Sequence, residues 1–151
     1  MAAGTRYGVD IRAALPADSA DLAALLGGTP RQMAQRLEAM PREAGAVLVA
    51  TGWNGAAIGV IALNWHHTLA ADRPLARISA LAVAQEERRN GIGRLLIKAG
   101  AQAARVAGCD LLEAAAPGEG EAAGAFLQAL GFAPAGQNLA RPLRKRAQEM
   151  P

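Results

Sequence analysis

A mixed α/β fold, one sheet with helices on both faces, is predicted by three features of this sequence. The order of elements is strand, two helices, three strands, helix, strand, helix, strand. Three extended segments lie together in the middle of the chain, where Asn54-Gly55 offers a hairpin turn. The length of 151 residues suits one core and is short for two. The expected organisation is a single domain over residues 1–143 and a short basic tail over 144–151.

The first strand is read over residues 7–15 and is closed by Pro16. Asp18 or Ser19 can then cap a helix that carries Leu22, Leu25 and Leu26 on one face, ended by Gly27-Gly28. Thr29-Pro30 starts a second helix with proline in the first turn, where a missing N–H costs nothing. Met33, Leu37 and Met40 form its buried stripe, and Pro41 stops it. Residues 46–53, 56–65 and 76–83 read as an antiparallel meander. Asp72 and Pro74 place a loop between the last two.

From residue 92 to 107 the apolar positions Ile92, Leu95, Leu96, Ala99, Ala103 and Val106 follow helical spacing, and Gly108 ends the run. Residues 110–115 read as a short buried strand. A last helix over 121–130 carries Ala123, Phe126, Leu127 and Leu130 and stops at Gly131. Residues 132–143, broken by Pro134 and Gly136, read as an edge hairpin.

Composition narrows the function classes. Hydrophobic residues make up 52% of the chain and aromatic residues only 3%, so the core must be aliphatic and alanine-rich. No apolar run approaches the roughly 20 residues that cross a bilayer, and residues 1–10 lack the apolar centre of a signal peptide. A soluble, cytoplasmic protein without a membrane partner is expected. Cys109 is the single cysteine, which excludes an internal disulfide and a cysteine metal cluster and fits a buried structural thiol. The formal charge of +3 is modest, but its placement is not even. Arg88, Arg89, Arg94 and Lys98 gather around glycines, whereas Arg144-Lys145-Arg146 reads as a solvated tail and not a nucleic-acid site.

The most informative segment runs from the strand Ile78-Ser79-Ala80-Leu81-Ala82-Val83 through Arg88-Arg89-Asn90-Gly91-Ile92-Gly93-Arg94 into a helix. The first N–H groups of a helix have no intrahelical partner and sit at the positive end of its dipole, so they suit an anion. Gly91 and Gly93 allow a pyrophosphate to come close, and the arginines add charge-assisted bonds. Two glycines one residue apart also occur in ordinary strand-to-helix turns. A dinucleotide fold would want a third glycine, and a nucleoside triphosphate loop would want Gly-Lys-Ser or Gly-Lys-Thr; the sequence has neither.

This segment resembles the GNAT superfamily of N-acyltransferases, whose signature is Arg or Gln, two residues, Gly, one residue, Gly or Ala. Residues 88–93 match it in full. The resemblance extends upstream to Leu81-Ala82-Val83, and downstream to Ala125-Phe126-Leu127-Gln128-Ala129-Leu130-Gly131-Phe132. Ile11-Arg12-Ala13-Ala14 with Pro16-Ala17-Asp18 is similar to the family's opening. It implies a sheet whose two parallel strands splay into a cleft for the pantetheine arm of acetyl coenzyme A. Leu81, Ala82 and Val83 would pair with the pantetheine. Arg88, Arg89, Asn90, Gly91, Ile92, Gly93 and Arg94 would hold the pyrophosphate, with Phe126 also at the cofactor.

The implied reaction is direct attack of an amine, on a small molecule or a protein, upon the thioester. By the resemblance, Glu113 is the candidate base, with a structural hydrogen bond in the sheet as the alternative. Two family features are missing. Leu127 stands where many members carry the tyrosine taken as the acid, and Gly120 aligns near an asparagine that touches pantetheine. A non-catalytic protein that binds or senses acyl coenzyme A is therefore the second reading. Ser79 can position a water or bond locally, and His66 or His67 can relay a proton or simply lie at the surface. The family also implies a homodimer paired through edge strands.

Overall fold

The computed structural model describes residues 8–88, 90–115, 121–134 and 139–144. Five strands, β1 (Asp10–Ala13), β2 (Gly45–Thr51), β3 (Ala57–His66), β4 (Leu75–Val83) and β5 (Leu111–Ala114), form one sheet in the order β1-β2-β3-β4-β5. All neighbours are antiparallel except β4 and β5, which run parallel. Helices α1 (Ser19–Leu26) and α2 (Pro30–Ala39) connect β1 to β2, and α3 (Ile92–Val106) is the crossover from β4 to β5. Helix α4 (Glu121–Ala129) follows β5.

Alternation along the strands divides the core in two. Ile61, Leu63, Ala76 and Ile78 pack against Ile92, Leu96, Ile97 and Ala104 of α3, with Leu127 and Leu130 of the α4 region on the same side. Val49 and Val60 face the other way, toward Leu22, Ala23 and Met33 of the α1–α2 pair. The expected helices on both faces are present. The main chain of Ala57 donates to the Asp21 carboxylate at 3.0 Å, which ties α1 to the start of β3.

Close approach of α3 to β3 depends on two glycines. A Cβ on Gly59 would stand 3.0 Å from Leu96 Cδ1 and 3.1 Å from Ile92 Cγ2, and one on Gly100 would stand 3.0 Å from Ile61 Cδ1. Removing a side chain from the strand at one end and from the helix at the other lets the axis settle directly on β3. This packing fixes where the N-terminus of α3 lies.

Asp18 differs from its expected role. It sits just before α1, but its carboxylate makes no cap bond to that helix. It accepts instead from both ends of the Arg12 guanidinium, at 2.8 Å each, and from the Leu15 N–H at 2.7 Å. The Arg12 hydrogen bond, helped by the Leu15 N–H and opposed by burial, holds the carboxyl below its ordinary range. Its contribution is therefore complete above the unfolded value of about 4 and is lost as pH falls from there through the lowered folded value. Asp18→Ala is expected to cost about 2–3 kcal/mol at neutral pH, tempered by the partial exposure of Arg12. Urea denaturation at neutral pH should show this loss, and the gap should begin to narrow near pH 4 and close only below the lowered folded value.

Remaining boundaries move little. β1 is shorter than the predicted strand and begins at Asp10; Tyr7 lies outside the described residues. Trp53 falls in the hairpin loop, 91% exposed, because the turn closes through Gly55 N–H to Gly52 C=O at 2.9 Å. The predicted edge hairpin over 132–143 lies partly outside the described residues; 132–134 and 139–144 form no strand, and Leu139 and Leu143 are exposed. Among the described residues, no helix is long and apolar enough to cross a membrane.

Candidate active site

The site begins with an interruption in β4. Ala80 pairs with Ala62 and Ile78 with Leu63, which leaves Ser79 as an extra residue between them. A bulge of this kind bends its strand and increases the local twist. Ser79 Oγ donates to the bulged-over Ala62 C=O at 3.3 Å. On its other side β4 pairs with β5 only from Leu75 to Ile78, the last partner being Ala114. Beyond the bulge, β4 has no strand neighbour on the β5 side among the described residues, and the parallel pairing ends there in a fork.

Register shows which main-chain groups face the fork. Ala84 N–H donates to Ile58 C=O at 2.8 Å, so Val83 and Gly59 oppose each other without exchanging hydrogen bonds. By the alternation of an antiparallel ladder, Leu81 and Val83 aim their N–H and C=O groups away from β3, into the fork. Ala82, opposite Val60, turns its own groups back into the sheet. The Val83 C=O accepts from Arg88 Nε at 3.3 Å. The N–H groups of Leu81 and Val83 are left without partners among the described residues.

The basic turn lies at the same end of the sheet. Gly91 caps α3 with φ 79 and ψ 9, a left-handed conformation that glycine adopts without strain, and no side chain of the described residues caps the helix. The Gly91 C=O accepts from Leu95 N–H at 3.1 Å, so the N–H groups of Ile92, Gly93 and Arg94 precede the first helical bond. Arg88, Asn90 and Arg94 are exposed around them, and Arg89 lies outside the described residues. A parallel strand pair, its crossover helix and the opening between them make the arrangement in which open α/β sheets bind phosphorylated ligands.

From the far side, α4 closes on this turn. A Cβ on Gly93 would stand 3.1 Å from the Phe126 ring, so the absent side chain is what allows the ring to lie against the start of α3. Leu127 packs on the core shared with α3, in agreement with its helical spacing. Gly120 lies outside the described residues.

Glu113 stands on β5 opposite Arg77, one residue before the last pair of the fork. Its neighbours Leu112 and Ala114 pack toward α3, so Glu113 is on the opposite face, that of α1 and α2. His66 ends β3 and His67 follows it, both exposed. Cys109 is buried, which pushes its thiol pKa up and favours the unreactive form.

A feature that the sequence reading missed lies on that second face. An open cavity of about 360 Å³ lies between the α1–α2 pair and the sheet, beside their packed contact, and its lining reaches β4 at Ser79 and Ala80. A larger hollow of about 690 Å³ lies under the end of β1 and the start of β2 and touches no residue of β4. The smaller cavity is therefore the one set against the bulge. Its signal in the sequence was the α2 stripe of Met33, Leu37 and Met40, which reads only as a buried face.

Fold and fork together define a mixed open sheet whose parallel strands part beside the start of a crossover helix. The family model described as the acetyltransferase (GNAT) family matches residues 20–132, and the chain belongs to that family. No curated protein matches it. Among solved structures, a Trypanosoma brucei acetyltransferase is 19% identical with a TM-score of 0.76, over 89% of this chain and 99% of its own. A transcriptional regulator from Bacillus halodurans C-125 has a TM-score of 0.81 at 19% identity, over 89% and 99% of the two chains. An aminoglycoside acetyltransferase from an uncultured soil metagenomic sample, in complex with sisomicin, gives 0.72 at 18% identity, over 92% and 97%. At these identities the likeness is one of fold.

Proposed function

We propose that this protein transfers the acetyl group of acetyl coenzyme A to a primary amine by direct attack within a ternary complex. The observation that carries the reading is the β4 edge where the N–H groups of Leu81 and Val83 have no partner among the described residues, opening beside the glycine-capped start of α3. Those edge groups would pair with the pantetheine amides as a missing strand would, with Ala82 between them. Arg88, Arg89, Asn90, Gly91, Ile92, Gly93 and Arg94 would hold the pyrophosphate, and Phe126 would flank it.

In this reading a main-chain N–H of the edge lies against the thioester oxygen, where charge gathers as the amine attacks. The nitrogen bonds to the carbonyl carbon, the C–S bond breaks, and the thiolate departs. Glu113, on the acceptor face near the fork, takes the amine proton through water. Leu127 has no proton to give, so water protonates the thiolate. A thiol is acidic enough for this to slow the reaction without preventing it.

The packing of Leu127 in the core also supports a second reading, an acyl coenzyme A sensor without turnover. Release of coenzyme A thiol, with and without a pool of amines, separates the two. The enzyme reading expects amine-dependent release, and binding without release would select the sensor. Leu127→Tyr is expected to keep the fold and raise the release rate about tenfold, a small part of the range for a positioned acid. An unchanged rate would mean that thiolate protonation does not limit turnover.

A further inference from the structure

We infer that the acceptor is a primary amine with an apolar body and a carboxylate, as in an apolar amino acid, its carboxylate bound by Arg36. The inference rests on the acetyl-transfer reading above and names the substrate class of the same site.

The cavity between the α1–α2 pair and the sheet ends at the β4 bulge, at Ser79 and Ala80. The next residue, Leu81, turns its main chain into the fork. An amine that fills the cavity therefore arrives, from the α1–α2 face, at the strand position where a thioester on the forked edge would lie. The two substrates would meet at the bulge without sharing a binding surface.

Chemistry of the lining selects the amine. Leu22, Leu26, Met33, Leu37 and Met40 give it apolar walls, and among the described residues Arg36 is the one charged residue in its lining and no carboxylate lines it. Arg36 is exposed at the rim, beside Gly28 in the α1–α2 turn, and has no hydrogen bond or ion pair with the described residues. A polycation entering here would lose hydration and gain only repulsion. An apolar amine with a carboxylate fills the walls and pairs with the guanidinium.

The same setting favours the nucleophile. Apolar walls disfavour an ammonium, so the bound amine loses its proton more easily. Pairing its carboxylate with Arg36 also removes the anion that would otherwise stabilise that ammonium. A weakly placed base such as Glu113 then has less to do.

The test is calorimetric titration of the full chain, saturated with coenzyme A so that no turnover occurs, with L-phenylalanine, L-phenylalaninamide and kanamycin. L-Phenylalanine is expected to bind about tenfold tighter than its amide, the worth of one charge-assisted pair at a partly exposed site. Kanamycin should bind more weakly than either. Arg36→Gln should erase the preference for the carboxylate and Arg36→Glu should reverse it, both with coenzyme A affinity unchanged. Arg36 is exposed, in the last turn of α2, so both variants should stay folded with melting temperatures within about 4 °C of the parent, Arg36→Glu the lower of the two. No binding of L-phenylalanine, an amide bound as tightly as the acid, tighter kanamycin binding, or a preference that survives Arg36→Gln overturns the inference alone. Failure of coenzyme A itself to bind overturns the acetyl-transfer reading and this inference with it.

Discussion

Gly91→Trp is expected to abolish coenzyme A binding while the domain stays folded. At φ 79 a bulky residue is strained by an amount on the order of 1–3 kcal/mol, which a single domain tolerates. A Cβ at Gly91 meets nothing within 4 Å, so the indole has room to spread over the N–H groups that open α3. Losing two or more charge-assisted hydrogen bonds of about 1.5–3 kcal/mol each weakens binding by more than about 100-fold. Gly91→Ala is the matched control, because it carries the backbone strain without covering the helix end, and its affinity should stay within about fivefold of the parent. Equal affinity for the tryptophan variant, folded by circular dichroism, would remove this turn from the site.

Leu96→Ala carries the largest expected loss of stability, about 3 kcal/mol. Leu96 is fully buried between α3 and β3, where its Cδ1 lies over the empty side of Gly59. The strand's glycine offers no side chain to collapse into the vacated space, so a cavity remains and the cost exceeds simple transfer. For a domain of this size, the melting temperature should fall by about 6–12 °C. Val106→Ala, at an exposed position of the same helix, should change stability by less than about 0.5 kcal/mol. Equal losses at the two positions would mean that α3 does not pack on β3 as described.

Both substitutions fall on α3 or the turn before it, and those elements are local in sequence and readable there. The spacing of Ile92, Leu95, Leu96 and Ala99 identifies α3 because helical periodicity places them on one side whatever they pack against. The turn before it was legible because arginines and glycines adjoin a helix start within seven residues, 88–94. The two glycines that seat α3 on β3 could not be found this way. Gly59 and Gly100 matter only because folding brings them under Leu96 and Ile61.

The site divides along the same line. That Leu81 and Val83, and not Ala82, turn their main chains outward depends on the pairing register with β3, which the residues of β4 do not encode by themselves. The bulge at Ser79 depends on that register too, and it opens the fork. Asp18 looked like a helix cap because it precedes α1, whereas Arg12, six positions earlier, draws its carboxylate away. Arg36 carried no signal at all: an arginine beside an apolar helical stripe reads as a solvated face until a cavity is found next to it.

Calorimetric titration of the purified chain with acetyl coenzyme A and with pantetheine tests whether the β4 edge and the start of α3 together bind the cofactor, one holding the arm and the other the phosphates. Acetyl coenzyme A is expected to bind with micromolar affinity, and pantetheine, which lacks the phosphates that α3 and its arginines would hold, at least about 100-fold more weakly. A folded protein that binds neither ligand, or binds both alike, would exclude this site.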